Sequence, residues 1–142
     1  MTRPLERTRI SPGGGEIRAR NGEKDMVNQT TNRGEILITS DVITTLAGAA
    51  AINCFGVKGM AKRGVSDGLV HLLKREAMGK GVLVTYGPEQ EISIELHIVV
   101  DYGVNITAVT ASIIDEVRYK VESATGARVK SVDVFIDSMV VD

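Results

Sequence analysis

The clearest pattern in the chain is an alternation between residues 91 and 101, in which apolar residues alternate with a mostly polar set that includes Val99. The apolar positions are Ile92, Ile94, Leu96, Ile98 and Val100. A period of two places one set of side chains on each face of a β-strand. A second β-rich run, residues 81–86, precedes it across the turn at residues 87–90, which contains Gly-Pro. The two runs predict a β-hairpin.

A helix and a last strand are predicted after this hairpin. Apolar residues recur at three- and four-residue steps from Ile106 to Ala124, Asn105 is a favourable N-cap, and Gly126 is a favourable C-cap. The last strand has its inward residues at Val132, Val134 and Ile136. Phe135 falls on its polar face, which indicates that this face is partly covered.

The preceding part of the chain is less regular. Residues 35–38 predict a short strand, and residues 39–41 predict a helix N-cap. The helix that follows, to about Asn53, has mostly small residues at positions 47–51, which predicts close packing. Residues 56–60 predict a turn leading into an extended piece, and residues 64–77 predict a weaker helix.

The first 33 residues differ from the rest of the chain. They contain the run Ser11–Gly15, whose five residues include one proline and three glycines, and they show no apolar period. We expect a disordered leader over residues 1–33, because such a segment buries too little surface to offset its ordering entropy. We also expect that the native start is Met26, with the upstream part an overlong gene boundary or an expression remnant.

These elements predict an α+β fold in the order β-α-β-α-β-β-α-β. The helices lie on one face of a mixed β-sheet, which gives two layers. The predicted domain spans residues 34–138, followed by a short tail at residues 139–142.

Composition restricts the class of protein. The hydrophobic fraction of 43% is enough for a core, and the single cysteine, Cys54, excludes an internal disulfide and a cysteine metal cage. No apolar run reaches the roughly 20 residues that span a bilayer, and the basic N-terminus has no apolar signal region. We therefore expect a cytoplasmic location, without direct membrane insertion.

Charge is unevenly distributed along the chain. The net charge is +3 over residues 1–33, +4 over residues 58–80 and −6 over residues 89–142. Opposite charges on two regions steer association with a partner or with other copies of the chain. An ordinary solvated surface is the alternative interpretation.

Catalytic motifs are not found. The chain has no Walker loop, no GxGxxG and no defensible Ser-His-Asp arrangement. His71 and His97 have no ligand-like neighbours, and Cys54 follows an alanine-rich helix, where a buried cysteine acts as a small apolar residue. We therefore predict no catalytic residues, no cofactor and no metal.

One short motif is compatible with nucleic acid. Gly56–Gly59 matches the GxxG loop with which KH domains clamp a nucleic-acid backbone. The candidate contact residues for a partner or nucleic acid are Lys58, Gly59, Lys62, Arg63, Lys74 and Arg75. A plain turn is the simpler interpretation, because GxxG is common by chance and no helix follows the loop directly.

Several segments together resemble the alkaline-shock (envelope stress response) protein family of Gram-positive bacteria. The matching pieces are residues 34–36, 40–43, 47–50, 56–60 and 80–82, the segment Ile98–Ile106, and residues 117, 121–122, 125–126 and 132–134. The strand-end Tyr-Gly-Val followed by a helix is the most specific piece. The resemblance covers about Gly34 to Val134.

The resemblance implies a small, non-enzymatic cytoplasmic protein linked to cell-envelope homeostasis. It further implies self-association and, for some members, tethering beneath the membrane by an integral-membrane partner. Residues 53–55, Asn-Cys-Phe, stand where acidic residues are common in the family. We therefore expect a scaffold protein that acts by self-association and protein contacts, with RNA binding as the alternative.

Overall fold

The computed structural model describes residues 8–10, 16–18, 26–62, 73 and 79–141. Within these residues the α-helices are α1 (Ser40–Ile52) and α2 (Ile106–Thr125), and a short 3-10 turn spans Pro88–Gln90. The strands are β1 (Thr8–Ile10), β2 (Glu16–Arg18), β3 (Met26–Thr31), β4 (Gly34–Thr39), β5 (Val57–Met60), β6 (Val82–Tyr86), β7 (Glu91–Asp101) and β8 (Arg128–Val140).

Strand β7 is the centre of the main sheet. Strand β8 pairs with it in parallel along its whole length, from Glu91 to Asp101. On the other side, β6 pairs antiparallel with residues 92–96 and β5 with residues 98–100, so that these two short strands lie end to end. The predicted hairpin of β6 and β7 is confirmed, as is the mixed sheet.

The core lies on one face of this sheet. The five alternating apolar residues of β7 are each at most 1% exposed, and they pack against Ile43 and Ala47 of α1 and Val109 and Ile113 of α2. Each such side chain contributes about 1.5–3 kcal/mol through its removal from water. Both described helices therefore cover the same face, and the predicted two-layer α+β arrangement is confirmed.

The ends of α2 agree with their sequence signals. The Asn105 side chain accepts a hydrogen bond of 3.0 Å from the Ala108 N–H, which satisfies one of the unpaired donors of the first turn. Gly126 has φ +75°, the left-handed conformation that glycine adopts without strain.

Helix α1 packs closely, as its small residues predicted. Ala47, Gly48, Ala50 and Ala51 are buried, and the helix contacts α2, β5 and β6. Its N-cap is Thr39, which makes no side-chain capping hydrogen bond. The small side chains are thus used for packing against neighbouring elements.

The prediction of a disordered leader up to residue 33 is wrong for its last part. Residues 26–31 form β3, which pairs antiparallel with β4 through the two-residue turn at residues 32–33, and Val27 is fully buried. Strands β1 and β2 also pair with each other. Four of the six residues of β3 are polar, so the strand has no apolar period in the sequence.

Two hydrogen bonds join β3 to the rest of the domain. The Asn28 N–H donates to the Gln90 side-chain oxygen over 2.6 Å, and the Gln29 side-chain amide donates to the Thr125 carbonyl. The described fold therefore begins by Met26 rather than at Gly34.

The predicted tail at residues 139–142 is also partly wrong. Strand β8 continues to Val140, and the Tyr102 N–H donates to the Val140 carbonyl over 2.8 Å. The predicted helix over residues 64–77 lies outside the described residues, apart from Leu73. The Leu73 N–H donates to the Met60 carbonyl over 2.8 Å.

Candidate interaction surfaces

The structure separates the residues of the GxxG motif. Gly56 lies in a turn, whereas Gly59 is buried in β5 opposite Val99. Lys58 and Lys62 are exposed, and Arg63, Lys74 and Arg75 lie outside the described residues. A KH clamp needs both glycines in an accessible loop, and the backbone of Gly59 is instead part of the sheet. The predicted turn leading into an extended piece is confirmed.

Gly56 packs closely against two valine side chains. A Cβ atom on Gly56 would lie 3.0 Å from methyl carbons of both Val104 and Val109, and its φ is +89°. Its carbonyl accepts a hydrogen bond of 2.9 Å from the Asp101 N–H. This contact aligns the start of β5 with the end of β7.

Exposed apolar side chains gather at this end of the sheet, which we call the Tyr102 end: Phe55, Tyr102, Ile106, Met139 and Val141. Phe55 is 88% exposed, Val141 70% and Tyr102 68%. The hydrogen bonds of Asp101 to Gly56 and of Tyr102 to Val140 bring the three strand ends together. Large apolar side chains that share an exposed surface mark an interaction site.

A cleft of about 400 Å³ opens at the Tyr102 end. It is lined by Val57, Lys58, Asp101, Tyr102, Val140 and Val141. Three valines, one tyrosine and two opposite charges form the lining, so the cleft exposes both polar and apolar groups. Of the predicted contact residues that the structure describes, Lys58 alone lines this cleft. No period or motif indicates this cleft, because its residues come from three strand ends that are distant in the chain.

A second cluster lies on the outer face of the sheet, opposite the helices. The His97 Nε2 atom is 2.7 Å from Glu95 Oε2, and its Nδ1 atom is 2.9 Å from Asp137 Oδ2. The Phe135 ring stacks on the imidazole, with 4.8 Å between ring centres and 10° between ring planes. Both nitrogens can donate to carboxylates only when the imidazole is protonated.

His97 alternates with the buried apolar residues of β7 and therefore lies on the other face of the strand, but the spacing of the sequence does not indicate its partners. Asp137 lies 40 residues away along the chain and reaches His97 only because β8 pairs with β7. Phe135 lies directly opposite His97 in the same pairing. The cluster explains why an aromatic residue lies on the polar face of β8.

Cys54 is half-buried between the helices. Burial raises the pKa of its thiol, while a hydrogen bond with Ser112 lowers that pKa and the nearby Glu116 carboxylate raises it. The Sγ atom is 3.5 Å from the Ala50 carbonyl oxygen. A thiol with a raised pKa is a weak nucleophile at neutral pH.

Two further observations apply to the described part of the chain. No group of three or more histidine, cysteine, aspartate or glutamate side chains is placed to hold a metal ion there. No helix there has the length and apolar character needed to cross a membrane.

Comparison with known proteins identifies relatives along most of the chain. The model of the alkaline shock protein 23 family, described as having a cell envelope-related function, matches residues 28–141. The uncharacterized protein YloU of Bacillus subtilis is 38% identical over 110 residues, which are 77% of this chain and 91% of that protein.

Two further relatives have a similar extent. The uncharacterized protein Spy1614 of Streptococcus pyogenes is 35% identical over 80% of this chain and 93% of its own length. The uncharacterized protein YqhY of Bacillus subtilis is 30% identical over 78% of this chain and 81% of its own length. No solved structure matches the chain significantly.

Proposed function

The chain belongs to the alkaline shock protein 23 family, of cell envelope-related function, and from that premise we propose that it is a non-enzymatic scaffold of the envelope stress response. It acts by self-association and by protein contacts at the cytoplasmic side of the membrane. An integral-membrane protein holds it there. The family resemblance of the sequence supports this role, and the surface of the domain supports it independently.

The observation that carries the proposal is the apolar surface at the Tyr102 end. Phe55, Tyr102 and Val141 are each more than two-thirds exposed, beside a cleft in which three of the six lining residues are valines. Aromatic residues in such positions are the usual anchors of protein interfaces, where a few side chains supply most of the binding energy. We assign this surface to the membrane-anchored partner.

The proposal is tested by sedimenting membranes from cells that make the chain naturally. We expect the full chain to sediment with them, and Phe55→Ser/Tyr102→Ser to reduce the bound fraction by about tenfold or more, as the loss of interface anchors does. Tyr119→Ser is the matched control. Tyr119 is 65% exposed but lies about 20 Å further along α2 than Ile106, at 1.5 Å per residue.

Two results would contradict the proposal. One is a chain that stays entirely in the supernatant after gentle lysis with a crosslinker. The other is equal binding to protein-free vesicles made from the same lipids, because the membrane itself would then be the ligand.

A further inference from the structure

Strand β8 has a second edge with which no described strand pairs. Its first edge is occupied by β7, from the pair Glu91 and Arg128 to the pair Asp101 and Val140. The N–H and C=O groups along an unpaired edge are a template for another strand. At 13 residues, β8 is the longest strand among the described residues.

The beginning of this edge is covered by α2. The Val129 N–H donates to Glu122 Oε2 over 3.0 Å, and the Arg118 guanidinium donates to the Val129 carbonyl. No described residue covers the edge in this way from residue 130 to residue 140. The second edge of β8 is therefore covered up to Val129 and left uncovered by the described residues after it.

The middle of β8 is a regular strand between two irregularities. The pairing with β7 shifts register just before Ser131 and again just after Ile136, and it is continuous between these two residues. We call Ser131–Ile136 the open segment. It has six residues, the usual length of a strand, and contains no proline or glycine.

We propose that the open segment pairs antiparallel with the open segment of a second copy of this chain, about a two-fold axis at Val134. This rests on the self-association in the proposed function and gives it a surface. Val134 then lies opposite its own copy, and Val132 lies opposite Ile136. The two sheets become one continuous sheet, whose apolar inner face crosses the boundary between the copies.

The charges of β8 disfavour the two axes on either side of Val134. An axis at Asp133 places that carboxylate against its copy, and an axis at Phe135 places Asp133 opposite Asp137. Like charges in opposed positions destabilise strand pairing. An axis at Val132 requires the edge of Val129, which α2 occupies. A two-fold axis that passes between two residues, rather than through one, would place an inward side chain of one copy opposite an outward side chain of the other.

The ends of the strand also fit a second copy. Arg128 and Lys130 lie at the beginning of β8, and Asp137 lies near its end. Antiparallel pairing places the basic beginning of one strand beside the acidic end of the other. Parallel pairing would instead place the basic beginnings of the two strands side by side, and likewise their acidic ends.

The arrangement is tested by a disulfide across the axis. In the full chain with Cys54→Ser, we introduce Val134→Cys and oxidise at a concentration where the chain associates. Opposed Cβ atoms in an antiparallel pair are about 4.5–5.5 Å apart, close to the range of a disulfide. Ser131→Cys is the control, because its two copies would lie six residues apart, about 20 Å.

We expect Val134→Cys to give covalent dimers with at least about fivefold the yield of Ser131→Cys. Equal yields, or no dimer from either variant, would overturn the arrangement. If Val134→Cys does not fold, hydrogen exchange of the native chain decides the question. Protection of amides in the open segment must rise with protein concentration, and exchange that is independent of concentration would overturn the proposal.

The outcome is separable from that of the proposed function. If the chain sediments with membranes through the Tyr102 end but forms no Val134 disulfide, the proposed function stands and only the edge pairing is contradicted. A chain that dimerises through Val134 but never reaches the membrane contradicts the envelope role alone.

Discussion

At Gly81 the chain enters β6 with no room for a side chain. A Cβ atom there would lie 2.6 Å from the Ala61 carbonyl oxygen and 3.2 Å from the Met60 Cβ. The first of these neighbours is backbone, which cannot rotate away. Gly81 therefore holds the chain after β5 close to the start of β6, a constraint that no sequence period reveals.

Gly81→Ala is expected to lower the free energy of unfolding by about 1–3 kcal/mol, the usual effect of overpacking a buried site. Urea denaturation measures it. Gly87→Ala is the matched control, since its nearest atoms would be 3.8 Å away, and we expect it to change stability by less than about 1 kcal/mol. Equal destabilisation by both variants would contradict the close contact at Gly81.

Cys54 is expected to react slowly with iodoacetamide. Its pKa is raised by burial, so less thiolate is present at a given pH than for an exposed cysteine, and the thiolate is the reactive form. The rate at pH 8 should rise about tenfold or more when the chain is unfolded in urea. Equal rates for the folded and unfolded chain would show that the thiol is accessible and its pKa unperturbed.

At the scale of elements, the sequence predicted those whose side chains follow a period. Strand β7 and helix α2 were predicted from their apolar spacing, and the caps of α2 from Asn105 and Gly126. Strand β3 was missed because most of its residues are polar, and the contacts that join it to the domain, from the Asn28 N–H to Gln90 and from the Gln29 side chain to the Thr125 carbonyl, are not periodic. Such partners are distant in the chain, and periodicity carries no information about them.

The cap of α2 provides a prediction at this scale. Asn105→Ala removes the acceptor of the Ala108 N–H and should lower the free energy of unfolding by about 1 kcal/mol. Asn105→Asp should retain the native stability, because a carboxylate caps the same donor and interacts favourably with the helix dipole. Thermal denaturation of both variants tests this, and a stable Asn105→Ala variant would contradict the role of the cap.

For the whole molecule, the interaction surfaces arise from topology. Strand ends and loops far apart in the chain form the Tyr102 end, and the parallel pairing of β7 and β8 creates both the His97 cluster and the open edge. The sequence indicated association through its uneven charge and its resemblance to a family. It could not locate the surfaces, because neither charge totals nor apolar period specify which strand lies at an edge.

The most direct measurement of the central claim is photocrosslinking in the native cell. A photoreactive amino acid replaces Phe55, Val134 or Tyr119 in the full chain, and the crosslinked products are identified by mass spectrometry. We predict an integral-membrane protein at position 55, a second copy of the chain at position 134 and neither at position 119. The same products at all three positions, or none at positions 55 and 134, would contradict the assignment of a scaffold with two separate surfaces.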